Sequence, residues 1–247
     1  CPNRAACWHD SAAAFLILGD ACTRACRFCA IPHAAHPAAP DPGEPARLAE
    51  AAAAMGLRHV VVTSVTRDDL PDGGATQFAA TIREIRARLP SATVEVLVPD
   101  FQGDAAALDL VLAATPDIFN HNLETVERLQ PTVRPQADYR RSLAVLAYAA
   151  QAGARAKSGL MLGMGEKDAE LSAALRDLRA AGVALLTLGQ YLAPSPAHHP
   201  VARFVPPAEF DRWRDEALAL GFASVASAPH VRSSYHAEEL MALGSAS

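Results

Sequence analysis

The chain has 247 residues, 51% of them hydrophobic and 20% charged, with a formal net charge of −5. That is enough apolar material for one substantial core, although 54 alanines make up much of it. The mildly acidic balance, with no long basic run, excludes nucleic acid as the main partner, and the longest apolar runs, 60–62 and 182–188, are far shorter than the ~18 residues a membrane-spanning helix requires.

The chain starts at Cys1 rather than at a methionine, so upstream residues are expected to be missing or removed, and no targeting leader is legible. A first β-rich run at 15–19 is followed by others at 59–65, 93–98, 118–121, 156–163 and 183–190. Helical patterns at 44–55, 76–89, 104–114, 140–152 and 167–181 separate them, several stopping at a Gly or Pro such as Gly56, Pro90, Gly153 and Gly182. A further helix at 207–220 precedes a candidate seventh strand at 223–227. Strand and helix alternating this way imply an α/β fold of parallel strands with right-handed crossovers. Six units rather than eight suggest a partial (β/α)6 barrel of the TIM type. The expected division is an N-terminal segment at 1–14, the barrel at 15–222 and a C-terminal segment at 223–247, the two ends covering the barrel mouth. The loops after the strands, 20–29, 64–74, 120–124, 157–165 and 190–195, should converge there to build the site.

All five cysteines, Cys1, Cys7, Cys22, Cys26 and Cys29, fall within the first 29 residues. An odd, crowded set in a chain with its own core is a poor disulfide framework, which favours metal binding in a reducing, cytoplasmic compartment. The sharpest signal is Cys22-Thr-Arg-Ala-Cys26-Arg-Phe-Cys29, a C-x3-C-x2-C directly after the first predicted strand. On a straight helix Cys22 and Cys29 would lie ~10 Å apart along the axis, so a loop must wrap them inward. Three thiolates hold three irons of a [4Fe-4S] cube and leave the fourth open to substrate, whereas electron-transfer clusters ordinarily have all four irons bound by protein. Structural zinc is the alternative, but it wants four ligands and no partner C-x2-C exists elsewhere.

This C-x3-C-x2-C after the first strand of a partial barrel resembles the radical S-adenosylmethionine (SAM) superfamily. The resemblance implies that SAM chelates the open iron and that an electron from the cluster releases a 5′-deoxyadenosyl radical. Cys1-Pro-Asn-Arg-Ala-Ala-Cys7 is similar to the latter part of the C-x4-C-x5-C motif with which lipoyl synthases hold an auxiliary [4Fe-4S] cluster. The likeness runs through 61–75, Asn120-His-Asn122 with Glu124, Val133-Arg-Pro135, Lys157-Ser-Gly-Leu-Met161, Leu188-Gly-Gln190 and Arg232-Ser-Ser-Tyr235. By motif position it implies that Ser234, or failing it Ser233, is an oxygen ligand of the auxiliary cluster. The motif's first cysteine would lie five positions before Cys1, so that cluster is incomplete in this sequence.

Cys22, Cys26, Cys29 and Ser234 are therefore the candidate catalytic residues, and with Cys1 and Cys7 the candidate metal ligands. For SAM the candidates are Asp69, Asp72, Gly73, Gly74, Asn122, Glu124, Lys157 and Gln190. Several have bland alternatives: 67–74 is also a plausible acidic turn opening a helix, His121 a core histidine, Lys157 a bridge to an Asp or Glu, and Arg24 and Arg27 surface charge. His198 and His199 should shape the mouth rather than bind metal. The resemblance implies insertion of sulfur at C6 and C8 of an octanoyl-lysine, with octanoylated lipoyl carrier domains or glycine-cleavage H protein as partner, an electron donor such as flavodoxin or ferredoxin, and neither nucleic acid nor membrane. The rivals are another radical SAM sulfur inserter, a noncatalytic iron-sulfur protein and a zinc-binding module.

Overall fold

A computed structural model describes residues 11–233, so Cys1, Cys7 and Ser234 lie outside the described residues. Seven strands form one sheet in chain order, every neighbouring pair parallel: β1 (Ala12–Ile17), β2 (His59–Ser64), β3 (Thr93–Leu97), β4 (Ile118–Asn120), β5 (Ala156–Leu162), β6 (Leu185–Gln190) and β7 (Ser224–Ser227). Helices α1 (Glu44–Ala54), α2 (Ala75–Arg88), α3 (Ala105–Ala113), α5 (Tyr139–Gln151), α6 (Asp168–Ala180) and α7 (Pro207–Ala219) connect them, with a short α4 (Gln130–Val133) inserted after β4. The six expected β/α units are present, and β7 adds a seventh strand against β6, making an open barrel with β1 and β7 at its edges. None of the described helices is long and apolar enough to cross a membrane.

Strand β1 starts at Ala12, three residues earlier than the apolar run suggested, and stops before Leu18 and Gly19. Those two take positive φ values of 68° and 92°, which turns the chain out of the sheet and into the cysteine loop. The sequence also gave no sign of α4 or of the 3₁₀ turns Phe101–Gly103 and Glu127–Leu129, which are too short to show a period.

Period-two alternation gives the sheet two unlike faces. Val60, Val62, Val94, Val96, Phe119, Leu160, Leu162, Leu186 and Leu188 belong to the apolar core packed by the helices. The alternate face carries His59, Glu95, Asn120, Lys157, Gly159, Thr187 and Gly189 among the apolar Val61, Leu97, Met161 and Leu185. Glu95 and Lys157 are both fully buried and joined at 2.8 Å.

The turn before α2 is held by Asp72, whose carboxylate accepts the N–H groups of Gly74 at 2.9 Å and Thr76 at 2.8 Å. Gly74 has φ 92°, and a Cβ there would overlap the Leu18 side chain. Asp72→Ala should therefore lower stability by about 1 kcal/mol in urea denaturation, as expected for a lost N-terminal cap, with Asp72→Ser recovering part of it. Equal midpoints for all three proteins would contradict this capping role.

Candidate active site

The chain from Asp20 to Asp41 carries no helix, and the three cysteines lie on it. Backbone hydrogen bonds pin this loop from several sides. Thr23 N–H donates to Thr66 O at 3.0 Å, Arg27 N–H to Val133 O at 2.8 Å, and His199 N–H to Arg27 O at 2.7 Å. Ala25 N–H donates to Gln136 Oε1 at 2.9 Å, and His198 Nε2 lies 3.2 Å from Cys29 O. The loops after β2, β4 and β6 thus meet around the cysteines, as loops at the C-terminal ends of barrel strands do.

The strongest tie is Arg24, only 5% exposed, whose guanidinium lies between Asp68 at 2.6 Å and Asp100 at 2.6 Å. Asp100, fully buried, also accepts from Arg141 at 2.8 Å and from Gln102 N–H at 3.0 Å. Burial pushes the Asp100 carboxyl up, but hydrogen bonds and charge from Arg24 outweigh it and hold the group well below the usual carboxylate range. Arg24 is thus an internal clamp rather than a surface charge.

Cys22, Cys26 and Cys29 are free, half-buried thiols lining one cavity of about 280 Å³. Cys22 Sγ accepts N–H groups from Thr66 at 3.2 Å and Arg24 at 3.4 Å. Burial pushes the Cys26 and Cys29 thiols up, and the nearby charges of Cys22 and Glu124 push both in the same direction. The buried guanidinium of Arg134, which lines the same cavity, counteracts this at Cys26. Among the described residues no three His, Cys, Asp or Glu converge closely enough to share one ion. Three separated thiols around a cavity, with N–H donors on sulfur and a buried cation opposite, suit a multi-iron cluster whose corners are bound one by one.

Asn122 and Glu124 line this cavity and also a neighbouring one of about 260 Å³, together with Phe28 and Leu97. Glu124 takes a left-handed conformation with φ 69° and is fixed by its N–H to Gly159 O at 2.9 Å and its carbonyl to Met161 N–H at 2.8 Å. Such a conformation in a bulky residue is sustained only by its surroundings. Burial raises its carboxyl pKa. Ser64 Oγ, Asn122 Oδ1 and Arg134 Nε are buried without a protein partner in the first cavity's wall, so the wall offers donors and acceptors to a polar ligand.

The other sequence candidates lie elsewhere. Asp69 pairs with Arg67 at 2.8 Å, Asp72 and Gly74 build the start of α2, and Gly73 packs beside the Phe101 ring; none of these four lines either cavity. Lys157 lines neither cavity, being bonded to Glu95. Gln190 lines the second, with its amide donating to Tyr191 O and Arg203 O and accepting from Val205 N–H. His121 is both wall and core: its Nδ1 lies 2.8 Å from Val98 O and its Nε2 3.0 Å from Ser142 Oγ. Burial lowers its pKa to about 4, so it is neutral at pH 7. Sequence reasoning assigned no role to Asp100 or Arg134. Asp100 follows β3, so the rule about strand ends that singled out the other loops applies to it; Arg134 belongs to a quoted motif whose chemistry shows only once it is seen facing the thiols.

A radical SAM superfamily profile matches residues 16–178. The chain is 58% identical over 246 residues to a lipoyl synthase from Methylococcus capsulatus, covering 98% of this chain and 76% of that protein. It is 56% identical over 239 residues to one from Chlorobium chlorochromatii, covering 96% and 82%. Among solved structures, SuiB from Streptococcus suis bound to S-adenosylmethionine is similar with a TM-score of 0.65 at 10% identity, over 83% of this chain and 46% of that one. HydG, a maturase of the [FeFe]-hydrogenase, is similar with a TM-score of 0.59 at 17% identity, over 92% and 58%. At those identities the structural likeness speaks for the fold alone.

The depressed folded pKa of Asp100 means that its stabilisation is present above the unfolded carboxylate value of about 3.9 and is lost as pH falls from there towards the folded value. Asp100→Asn should lower stability at pH 7 by about 3 kcal/mol, because Arg24 loses a buried counter-charge, and should flatten the fall in stability between about pH 5 and pH 2. Urea unfolding across that range checks both, and an acid limb of unchanged slope would contradict the assignment.

Proposed function

The chain belongs to the lipoyl synthase family of the radical SAM superfamily, and on that premise we propose that it inserts sulfur at C6 and C8 of an octanoyl chain amide-linked to a lysine of a lipoyl carrier domain. The observation that carries the proposal is the adjacency of the two cavities, one bearing three free thiols and the other combining Phe28, Leu97, Met161 and Leu192 with polar groups, with Asn122 and Glu124 in the wall of both. A [4Fe-4S] cluster with SAM on its open iron supplies the radical that removes hydrogen from an unactivated carbon.

Cys22, Cys26 and Cys29 are the residues that hold this cluster. Thr66 N–H donates to the Cys22 sulfur at 3.2 Å, and the charge of Arg134 partly offsets the rise that burial imposes on Cys26. Asn122 and Glu124 offer an amide and a carboxylate to the methionine part of SAM. The carboxylate of Glu124 suits its ammonium, and the raised pKa makes such a counter-charge favourable. Phe28, Leu97, Met161 and Leu192 give the second cavity aliphatic and aromatic surface that suits an octanoyl chain.

Cys1, Cys7 and Ser234 are proposed to hold the auxiliary cluster that supplies both sulfurs. Of the two serine candidates, Ser233 already accepts a hydrogen bond from Asn122 Nδ2 at 3.0 Å, which supports Ser234 as the ligand. An oxygen ligand among thiolates is the natural point of opening, since iron–sulfur sites prefer sulfur. The proposed partners are an octanoylated carrier domain or H protein and a small electron-transfer protein, in the cytoplasm.

Anaerobic reconstitution of the protein carrying the complete C-x4-C-x5-C segment, followed by mass spectrometry of an octanoylated peptide with SAM and reductant, tests this reading. A mass gain of two sulfurs is expected. Cys26→Ala should abolish reductive SAM cleavage, whereas Cys7→Ala should retain cleavage and lose the product. Equal loss of both activities in the two variants would contradict the division of labour between the clusters.

A further inference from the structure

We propose that the buried Glu95–Lys157 pair is a positioning device that seats residues 229–233 on the interior face of the sheet. The consequence for sulfur transfer rests on the reading of Ser234 as a cluster ligand; the seat itself does not.

Lys157 lies on β5 with no exposed surface, and all three of its N–H donors are used. Two go to Glu95 on β3, at 2.9 and 2.8 Å. The third goes to the backbone carbonyl of Ser233, at 2.6 Å. Glu95 is itself held by Asn120 Nδ2 at 2.8 Å, with His59 Nε2 at 3.7 Å, so side chains from β2, β3, β4 and β5 converge on one carboxylate.

Stability alone does not account for this arrangement. A buried ion pair is often no better than apolar residues of the same volume, and barrel interiors are ordinarily filled by branched aliphatic side chains. An aliphatic layer, however, has no donor for a main-chain carbonyl. A contact to the carbonyl fixes where the backbone lies whatever side chain it bears, while Asn122 fixes the Ser233 hydroxyl at 3.0 Å.

The rest of the segment is shaped to reach that seat. Gln190 N–H donates to Pro229 O at 3.2 Å, and Val231 N–H to Ala228 O at 3.1 Å. The Val231 carbonyl lies where a Cβ of residue 189 would be, which only glycine permits. The choice of lysine is informative in a chain that has 20 arginines and 2 lysines. A compact ammonium with three diverging donors can serve a carboxylate and a carbonyl at once, whereas a planar guanidinium needs a wider site.

The test is hydrogen exchange on the full chain, comparing the Val231 amide with the Val96 amide in β3. Glu95→Met/Lys157→Met removes both charges together, so no lone ion is left buried. If the seat exists, the Val231 amide should exchange about ten- to a hundredfold faster in this variant, the range of a lost hydrogen bond to a charged donor, with Val96 unchanged. Should the double variant fail to fold, Glu95→Gln/Lys157→Gln serves for the same reading, keeping a neutral hydrogen-bonded pair whose side chain at 157 is one bond too short for the Ser233 carbonyl. Unchanged exchange at Val231, or equal acceleration at Val231 and Val96, would overturn the proposal. The folded variant should also cleave SAM but transfer no sulfur. Sulfur transfer at the wild-type rate despite fast Val231 exchange would overturn the functional half, whereas failure of the otherwise unaltered protein with the complete C-x4-C-x5-C segment to transfer sulfur would overturn the proposed function on which that half rests, whatever the exchange data show.

Discussion

The guanidinium of Arg24, held between Asp68 and Asp100, determines where the three thiols go. Arg24 lies between Cys22 and Cys26 in a stretch without helix or strand, where only scattered backbone hydrogen bonds such as Cys22 N–H to Pro32 O hold the chain locally. Removing one partner of a buried ion pair costs about 3–5 kcal/mol. Exposed pairs such as Arg140–Glu127 and Arg212–Asp168 contribute about 0–1 kcal/mol each. The single internal clamp therefore outweighs several surface ones in ordering the loop, and Asp100 extends it to Arg141 at the start of α5. The cysteine loop is in this way built onto β3 and α5 rather than hanging from β1.

The same economy appears on the interior face of the sheet. Alternation sends one set of valines and leucines outward to the helices and puts His59, Glu95, Asn120 and Lys157 on the other face beside Val61, Leu97 and Leu185, with glycines at 159 and 189. A Cβ at Gly159 would crowd Asn122 Oδ1 and Thr187 Oγ1, and one at Gly189 would displace the Val231 carbonyl. Small residues thus clear room for a ligand-facing amide and for the returning chain. Asn122 belongs to both arrangements, with an unpartnered Oδ1 in the wall shared by the cavities and its Nδ2 on Ser233.

Much of this was legible in the sequence because it is written locally. The C-x3-C-x2-C spacing, the valine run of β2 and the glycine stops after the helices each act within a few residues, and they located the strands, the barrel and the thiols. The run 67–74 is ambiguous for an equally local reason. Aspartates and glycines are what a helix start requires as well as what a cofactor site uses, and only the fold reveals that Asp69 faces Arg67 and that Asp72 caps α2. Lys157 looked like a ligand for a carboxylate, and it is one, but the carboxylate is Glu95, 62 positions earlier in the chain. Asp100 and Arg134 were invisible for a related reason: their roles depend on Arg24 and Cys26, far away in sequence, and no periodicity records such pairings.

The central claim is that the barrel presents three thiols in such a way that one iron of a bound cluster is left for SAM. Electron paramagnetic resonance of the reduced Cys1→Ala/Cys7→Ala protein, reconstituted with iron and sulfide and recorded with and without SAM, tests it most directly, because any remaining signal belongs to the Cys22, Cys26 and Cys29 site. The account predicts a [4Fe-4S] signal whose g-values move when SAM is added. A spectrum indifferent to SAM, or a protein that takes up zinc and no acid-labile sulfide, would contradict it.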